Sequence, residues 1–218
     1  MRQFSIKFLF FWGVVWLLSS CSSITALLTP NLTQSLRDVS PGNYRIDPSH
    51  STVLFSVNHM GFSRFIGRFN SFQASLDYDA ENIENSRLHA IIDMGSIDVN
   101  SEDFENTLRS RFWLNTEKFP QAEFKTVSAK QRSEKDIDFQ GELTFLGVTQ
   151  TVELRVTVNG AAFNPFSQKY TLGFDAKASF LRSDFGLDRY IPTVGDTISI
   201  DVSTEFQRAS ASPSQKDL

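Results

Sequence analysis

Between positions 53 and 206 apolar residues return at every second position, in stretch after stretch. A period of two places alternate side chains on one face of an extended strand, and so constrains the chain to β structure with one face of each strand in a core. Val53, Phe55, Val57 and His59 share the first face; Ala74, Leu76 and Tyr78 the second; Leu88, Ala90, Ile92 and Met94 the third. Ala122, Phe124 and Thr126 look extended, and further alternating runs cover 137–145, 152–158, 170–180 and 198–206. Strands of this kind must bury one face and hide their edges, and closure into a barrel does both. The predicted fold is therefore all-β, an antiparallel barrel of about eight strands. A barrel of that size is just wide enough to be filled by side chains or to hold one slim ligand.

The rhythm breaks once. Phe104, Leu108 and Phe112 follow a helical spacing, Ser101 is placed to cap the helix, and Glu102 and Asp103 suit the positive end of its dipole. This single helix is expected to end before Phe119-Pro120. Asp47-Pro48-Ser49 reads as a turn before the first strand, and 62–66, between Gly61 and Gly67, as a basic and aromatic turn. Leu146-Gly147-Val148-Thr149 joins two runs as a hairpin. At 218 residues one domain is expected. Its 21 phenylalanines require a buried interior, and a net charge of -4 with no long basic run lacks the footprint of a nucleic-acid binder.

Arg2 and Lys7 precede an apolar run over 8–18, interrupted by Gly13, in the order of a secretory signal and too short for a membrane span. Leu18-Ser19-Ser20-Cys21 resembles the lipobox of bacterial lipoproteins, in which Cys21 is acylated; an ordinary cleavage site beside a cysteine is the alternative. Cys21 is the only cysteine, so no intrachain disulfide forms. The expected organisation is a lipoprotein-type signal peptide over 1–20, a flexible tether over 21–43, the barrel over 44–208 and a disordered tail over 209–218. The expected location is the periplasmic side of a bacterial cell envelope, with the acylated N-terminus in a membrane, the outer one if the enteric preference suggested by Ser22 applies.

Candidate chemistry is sparse. His50 and His59 are nine apart, on opposite faces of a regular strand, so they do not make a joint metal site. His50 is placed to tie down the Pro48 turn, His89 faces away from the apolar stripe of its strand, and no Cys/His set has zinc spacing. His59 ends an apolar stripe, either as a hydrogen-bonded structural residue or where a ligand's polar head meets the wall. Arg109, Arg111 and Arg182 are the cations suited to an anionic head group, with pairing to acids such as Asp103 or Asp184 as the alternative. Asp184-Phe185-Gly186 repeats a kinase triplet without its companion motifs, and there is no nucleophile elbow, Walker loop or dinucleotide fingerprint. Burying a Phe stabilises by roughly 1.5 to 3 kcal/mol whether a side chain or a lipid tail covers it. The stripes alone therefore imply an apolar interior and do not name an occupant.

Several pieces together resemble the YceI-like family of polyisoprenoid-binding, lipocalin-like periplasmic proteins. They are Tyr44-x-Ile46-Asp47-x-x-His50-Ser51 with Val53-x-Phe55-x-Val57-x-His59-x-Gly61; Gly67-x-Phe69; Leu108-Arg109-Ser110 with Phe112; and Phe119-Pro120 with Phe124. Gly141-x-Leu143-Thr144-x-x-Gly147-Val148-Thr149 and Arg182-Ser183-Asp184-Phe185-Gly186 with Gly195-Asp196 follow in the same order. Arg111, Trp113 and Phe119 depart from the pattern. The resemblance covers 44–208 and implies a barrel that binds a long isoprenoid, a polyprenyl lipid or a quinone tail, with no other cofactor and no metal. Phe55, Val57, Phe124, Phe145 and Phe180 would line the tunnel. Leu108, Phe112 and Trp113 would border its mouth, and His59, Arg109 or Arg182 would lie near the head group. A homodimer is compatible with this expectation. The competing expectations are an enzyme acting on an apolar substrate inside the barrel and a filled barrel serving as an envelope interaction module.

Overall fold

The computed structural model describes residues 29–209. Its strands are β1 (Gly42–His59), β2 (Ser63–Phe69), β3 (Phe72–Tyr78), β4 (Arg87–Asp93), β5 (Ile97–Asp98), β6 (Gln121–Gln131), β7 (Asp136–Phe145), β8 (Val148–Asn164), β9 (Lys169–Leu181) and β10 (Val194–Arg208), with one α-helix, α1 (Glu102–Arg109), between β5 and β6. Eight of them, in the order β10-β9-β8-β7-β6-β4-β3-β1, close on themselves when β1 pairs with β10. All pairings are antiparallel, so an eight-stranded closed barrel results, as the alternation predicts. The register sets Val53 opposite Val202, Phe55 opposite Ile200 and Val57 opposite Ile198, which brings the apolar faces of the closing strands to the same side of the wall.

β1 runs the whole height of the barrel. Its first residues pair with β3 and its 53–59 half with β2, so a single strand carries two neighbours in succession on one edge. Between Asp47 and Thr52 the β1–β10 register shifts, at the place where Pro48 has no N–H to give a ladder. Asp47 repairs the gap: its carboxylate accepts from the Ser49 N–H (3.0 Å) and from Gln207 Nε2 (2.7 Å). It also lies 3.0 Å from His50 Nδ1, the turn-fixing role expected of that histidine. Ser51 Oγ donates to the Asp47 carbonyl and lies 2.7 Å from Thr204 Oγ1 across the seam.

Four local expectations are corrected. The tether predicted to extend to residue 43 is docked from Thr33, which exchanges backbone hydrogen bonds with Ala161. Leu36 and Val39, on and beside a 3₁₀ turn, are fully buried. The 62–66 turn is mostly strand: Ser63 begins β2, which runs back along β1 with Gly67 opposite Phe55. Ser101 occupies the N-cap position of α1 but makes no side-chain cap bond; Glu105 reaches back instead and accepts from the Val99 N–H at 3.0 Å. The helix stops at Arg109, because Ser110 is extended (ψ 163°), so Phe112 lies outside it.

Two apolar clusters divide the interior. One fills the end of the barrel where the 33–40 segment enters, with Leu36 and Val39 packed among Tyr78, Phe139, Val158 and Leu172. The other surrounds the opposite end, where α1, the β1–β2 turn and the β9–β10 loop meet. The first end is sealed by chain; the second is the mouth. Residues 1–28, including Cys21 and the predicted signal peptide, and 210–218 lie outside the described residues.

Candidate functional site: an apolar cavity open at one pole

Between the two clusters lies a cavity of about 680 Å³, within the range that holds small-molecule ligands. The alternation of the strands builds it directly. Val53, Phe55, Val57 and His59 of β1, Leu88, Ala90 and Ile92 of β4 and Ala176, Ala178 and Phe180 of β9 all face inward, as their spacing requires. Phe124 of β6 and Phe145 of β7 complete the same wall. Small residues on β4 and β9 leave the volume that the phenylalanines would otherwise fill. Gln73 and Thr204 are polar members of the lining, and its titratable members are His59, Arg182 and Tyr190.

Two glycines let rings lie flat against the wall. A Cβ on Gly67 would come within 2.5 Å of the Phe55 ring, and one on Gly141 within 2.3 Å of Phe124. Phe55 also stacks at a tilt on Phe69, 5.4 Å between centroids. Phe145, Phe180 and Phe185 make a mutual edge-on trio, with centroids 5.2 to 6.2 Å apart. At the hairpin beneath this trio Leu146 (φ 51°) and Gly147 (φ 78°) form a two-residue turn with both residues left-handed, which matches the twist of β7 and β8.

The mouth is formed by α1, the β1–β2 turn and the β9–β10 loop. Leu108 and Trp113 line it, and the Trp113 ring lies 5.9 Å from that of Tyr190. His59 stands at the rim, exposed, and its imidazole makes no hydrogen bond among the described residues, so of its two expected roles the bonded structural one is not seen. Phe112, predicted to border the tunnel, is 55% exposed and does not line the cavity; its ring lies between the guanidinium groups of Arg111 (4.7 Å) and Arg189 (5.4 Å).

Arg182 is corrected in kind. It is 2% exposed, and its three guanidinium nitrogens donate to the carbonyls of Gly195 (2.9 Å), Leu187 (2.5 Å) and Val194 (2.9 Å). Burial lowers its pKa, against the opposing pull of Asp196 and Asp188, so this cation clamps the β9–β10 loop and its donors do not point at a ligand. Asp196 holds the same loop by accepting from Ser183 N–H and Oγ–H, at 3.0 and 2.7 Å. Arg109 is likewise committed: Nε donates to Gly95 O (2.9 Å), and the rest of the fork to Ile97 O, Asn106 and Glu105. It pins α1 over the cavity. His89 faces outward and meets Glu123 at 2.7 Å. Asp47, His50 and Glu205 bring ligand-type atoms within 4.8 Å of one another, but Asp47 is already occupied by the seam contacts described above.

Sealed at one pole, open at the other and lined by aliphatic and aromatic side chains, the structure defines a lipocalin-like barrel of the kind that encloses an apolar cavity. The chain belongs to the YceI-like domain family, whose model matches residues 44–206. It is 31% identical over 169 residues to a UPF0312 protein of Shewanella denitrificans, covering 77% of this chain and 88% of that one. It is 30% identical over 172 residues to a UPF0312 protein of Shewanella oneidensis, covering 78% and 90%. Among solved structures, Burkholderia cenocepacia BcnA superposes with a TM-score of 0.67 at 22% identity, over 73% of this chain and 98% of that one. A polyisoprenoid binding domain from Saccharophagus degradans, implicated in plant cell wall breakdown, gives 0.59 at 12% identity, over 78% and 100%.

Proposed function

We propose that the protein binds a long isoprenoid lipid, a polyprenyl lipid or an isoprenoid quinone, with the tail in the cavity and the head at the mouth. The observation that carries this is the 680 Å³ apolar cavity itself, left open by Ala90, Ala176 and Ala178 in a barrel narrow enough to be filled by side chains. The polyisoprenoid binding domain of Saccharophagus degradans shares the barrel and supports the ligand class. Phe55, Val57, Phe124, Phe145 and Phe180 contact the tail; Leu108, Trp113 and His59 flank the head. The physical work is desolvation: each buried methylene contributes about 0.8 kcal/mol, so a chain of isoprene units is strongly favoured inside. The role is sequestration or transport of that lipid in a bacterial envelope, with Cys21 as the acylated anchor; Cys21→Ser should release the protein from membranes.

A filled interaction module predicts no cavity, and an enzyme needs a titratable group deep among the reacting atoms. The polar groups away from the rim, Gln73 and Thr204, do not titrate near neutrality, and Arg182 is spent on carbonyls. Binding is the simpler use of this interior.

Of the three tryptophans Trp12 and Trp16 precede Cys21, so a chain starting at Ser22 keeps Trp113, at the mouth, as its sole tryptophan. Titration with a long-tailed quinone should quench Trp113 emission saturably, and mass spectrometry of the purified protein should detect a co-purifying isoprenoid. Protein repeatedly free of lipid that also fails to take up added quinone overturns the proposal.

A further inference from the structure

Three separate loops put apolar tips around the cavity entrance. Phe62, at the β1–β2 turn, is 86% exposed; Phe112 follows α1; Tyr190 and Ile191 crown the β9–β10 loop, both exposed. Interleaved with them are Arg64, Arg111 and Arg189, and the segments 60–64, 111–113 and 189–193 contain no acid. None of these three arginines makes an ion pair among the described residues, whereas Arg68, Arg109, Arg132 and Arg155 do. Arg111 and Arg189 are instead held against Phe112, and Arg189 also lies 5.7 Å from the Tyr190 ring. The nearest acids in sequence are Asp188, Asp196, Glu117 and Glu105, of which Asp196 is held by Ser183 and Glu105 is taken by Arg109.

We infer that this collar docks the mouth onto the surface of a lipid bilayer that carries anionic head groups. Unpaired guanidinium groups match phosphate, and aromatic rings flanked by arginine sit at the level where head groups meet acyl chains. The occupant follows from charge complementarity and from position: the apolar, cationic tips encircle the entrance of an apolar cavity, so a docked barrel presents that entrance to a hydrocarbon phase without crossing water. Phe62 and Ile191 enter the interface as wedges, Arg111 and Arg189 meet the head groups, and an isoprenoid enters past the Trp113–Tyr190 pair at the rim. The route rests on the lipid-binding proposal; the docking does not.

The test uses the chain that begins at Ser22, which keeps every described element and removes the apolar leader and Cys21 as competing anchors. Co-sedimentation is measured with phosphatidylcholine vesicles and with vesicles containing about a third phosphatidylglycerol. Wild type should bind the anionic vesicles and lose binding as salt rises. Arg111→Ala with Arg189→Ala should bind on the order of tenfold more weakly, and Phe62→Ser should also weaken binding. In Phe62→Trp/Trp113→Phe, tryptophan emission should shift to the blue on the anionic vesicles. Equal sedimentation of wild type and variants, or no blue shift, overturns the inference. So does a collar that buries itself in a dimer, seen as self-association lost in the same variants without vesicle binding. Quinone delivered in detergent separates the two proposals: uptake without vesicle docking removes the collar alone, and docking without uptake removes the cavity's ligand alone.

Discussion

The Tyr78 hydroxyl donates a 2.5 Å hydrogen bond to the carbonyl of Leu36, joining a strand of the wall to the segment that seals the barrel. Tyr44 makes the same kind of bond to the Ser40 carbonyl, and Ser40 N–H in turn donates to Tyr170 Oη. Three phenols thus grip a segment of a few residues whose Leu36 side chain is fully buried. Tyr78→Phe removes one of the two donors to the Leu36 carbonyl, leaving the Val39 N–H at 3.3 Å, and should cost about 0.5–1.5 kcal/mol. Leu36→Ala opens a cavity at the sealed pole and should cost about 2–5 kcal/mol. Denaturant melts measure both, and wild-type midpoints would show that the seal contributes nothing to the fold.

The same phenols predict an alkaline limit. Burial, followed by the proximity of Tyr170, pushes Tyr78 from 10.0 up to about 12 and Tyr44 higher still. In the unfolded chain both titrate near 10, so the stability that depends on their neutral forms is complete below pH 10 and falls as pH rises toward 12. Melting temperature followed over this window should decline in the wild type and decline less in Tyr78→Phe, whatever its starting value.

Arg182→Leu removes three donors from partly buried carbonyls and should destabilise by about 3 kcal/mol or more. Arg182→Lys should not restore the loss, because an ammonium cannot span the carbonyls of Leu187, Val194 and Gly195 that the planar fork reaches together. A head-group cation would give the opposite pattern, a stable variant with weakened ligand binding, and calorimetry together with quinone titration separates the two.

Asp196 is held below the usual carboxylate range chiefly by the Ser183 hydroxyl, with the Ser183 N–H and the Arg182 charge helping against partial burial. Its folded pKa is depressed, so its contribution is present at neutral pH and lost as pH falls through the folded value. Ser183→Ala should therefore shift acid unfolding to higher pH, while leaving the alkaline limb unchanged.

Gly67→Ala would force the Phe55 ring inward, since the new Cβ meets ring carbons at 2.5–2.6 Å and Val99 at 2.7 Å. We expect a folded barrel destabilised by about 1–3 kcal/mol with clearly weaker quinone uptake. Unchanged uptake in a folded variant would show that the ligand does not reach Phe55.

The barrel was legible because period two is imposed by backbone geometry, so the inward faces of β1, β4 and β9 could be read without neighbours. What stayed hidden depends on distant chain. The segment at 33–40 carries two buried residues, Leu36 and Val39, in a polar, aperiodic setting, and nothing local says that a barrel end is waiting for them. β2 was concealed by Arg64, Arg68 and Gly67, residues poor in strand propensity that pairing with β1 overrides. Arg182 could be seen as a cation, but not as the point where three carbonyls converge from across a loop. Arg189 carried no local signal; only the fold brings it to Phe112 beside Arg111. For Phe112 the helical spacing ran on past Ser110, where the backbone does not.

The Ala209 N–H donates to the Asn43 carbonyl at 2.8 Å, so the first and last strands begin and end side by side at the sealed pole. Both ways off the barrel leave from the side opposite the mouth. A partner domain, an affinity tag or a surface joined just before Thr33 or just after Ala209 would therefore attach on the side away from the entrance. Chain that joins the barrel ahead of Thr33 and leaves it after Ala209 does so at its back, so the opening stays free to meet a surface of its own.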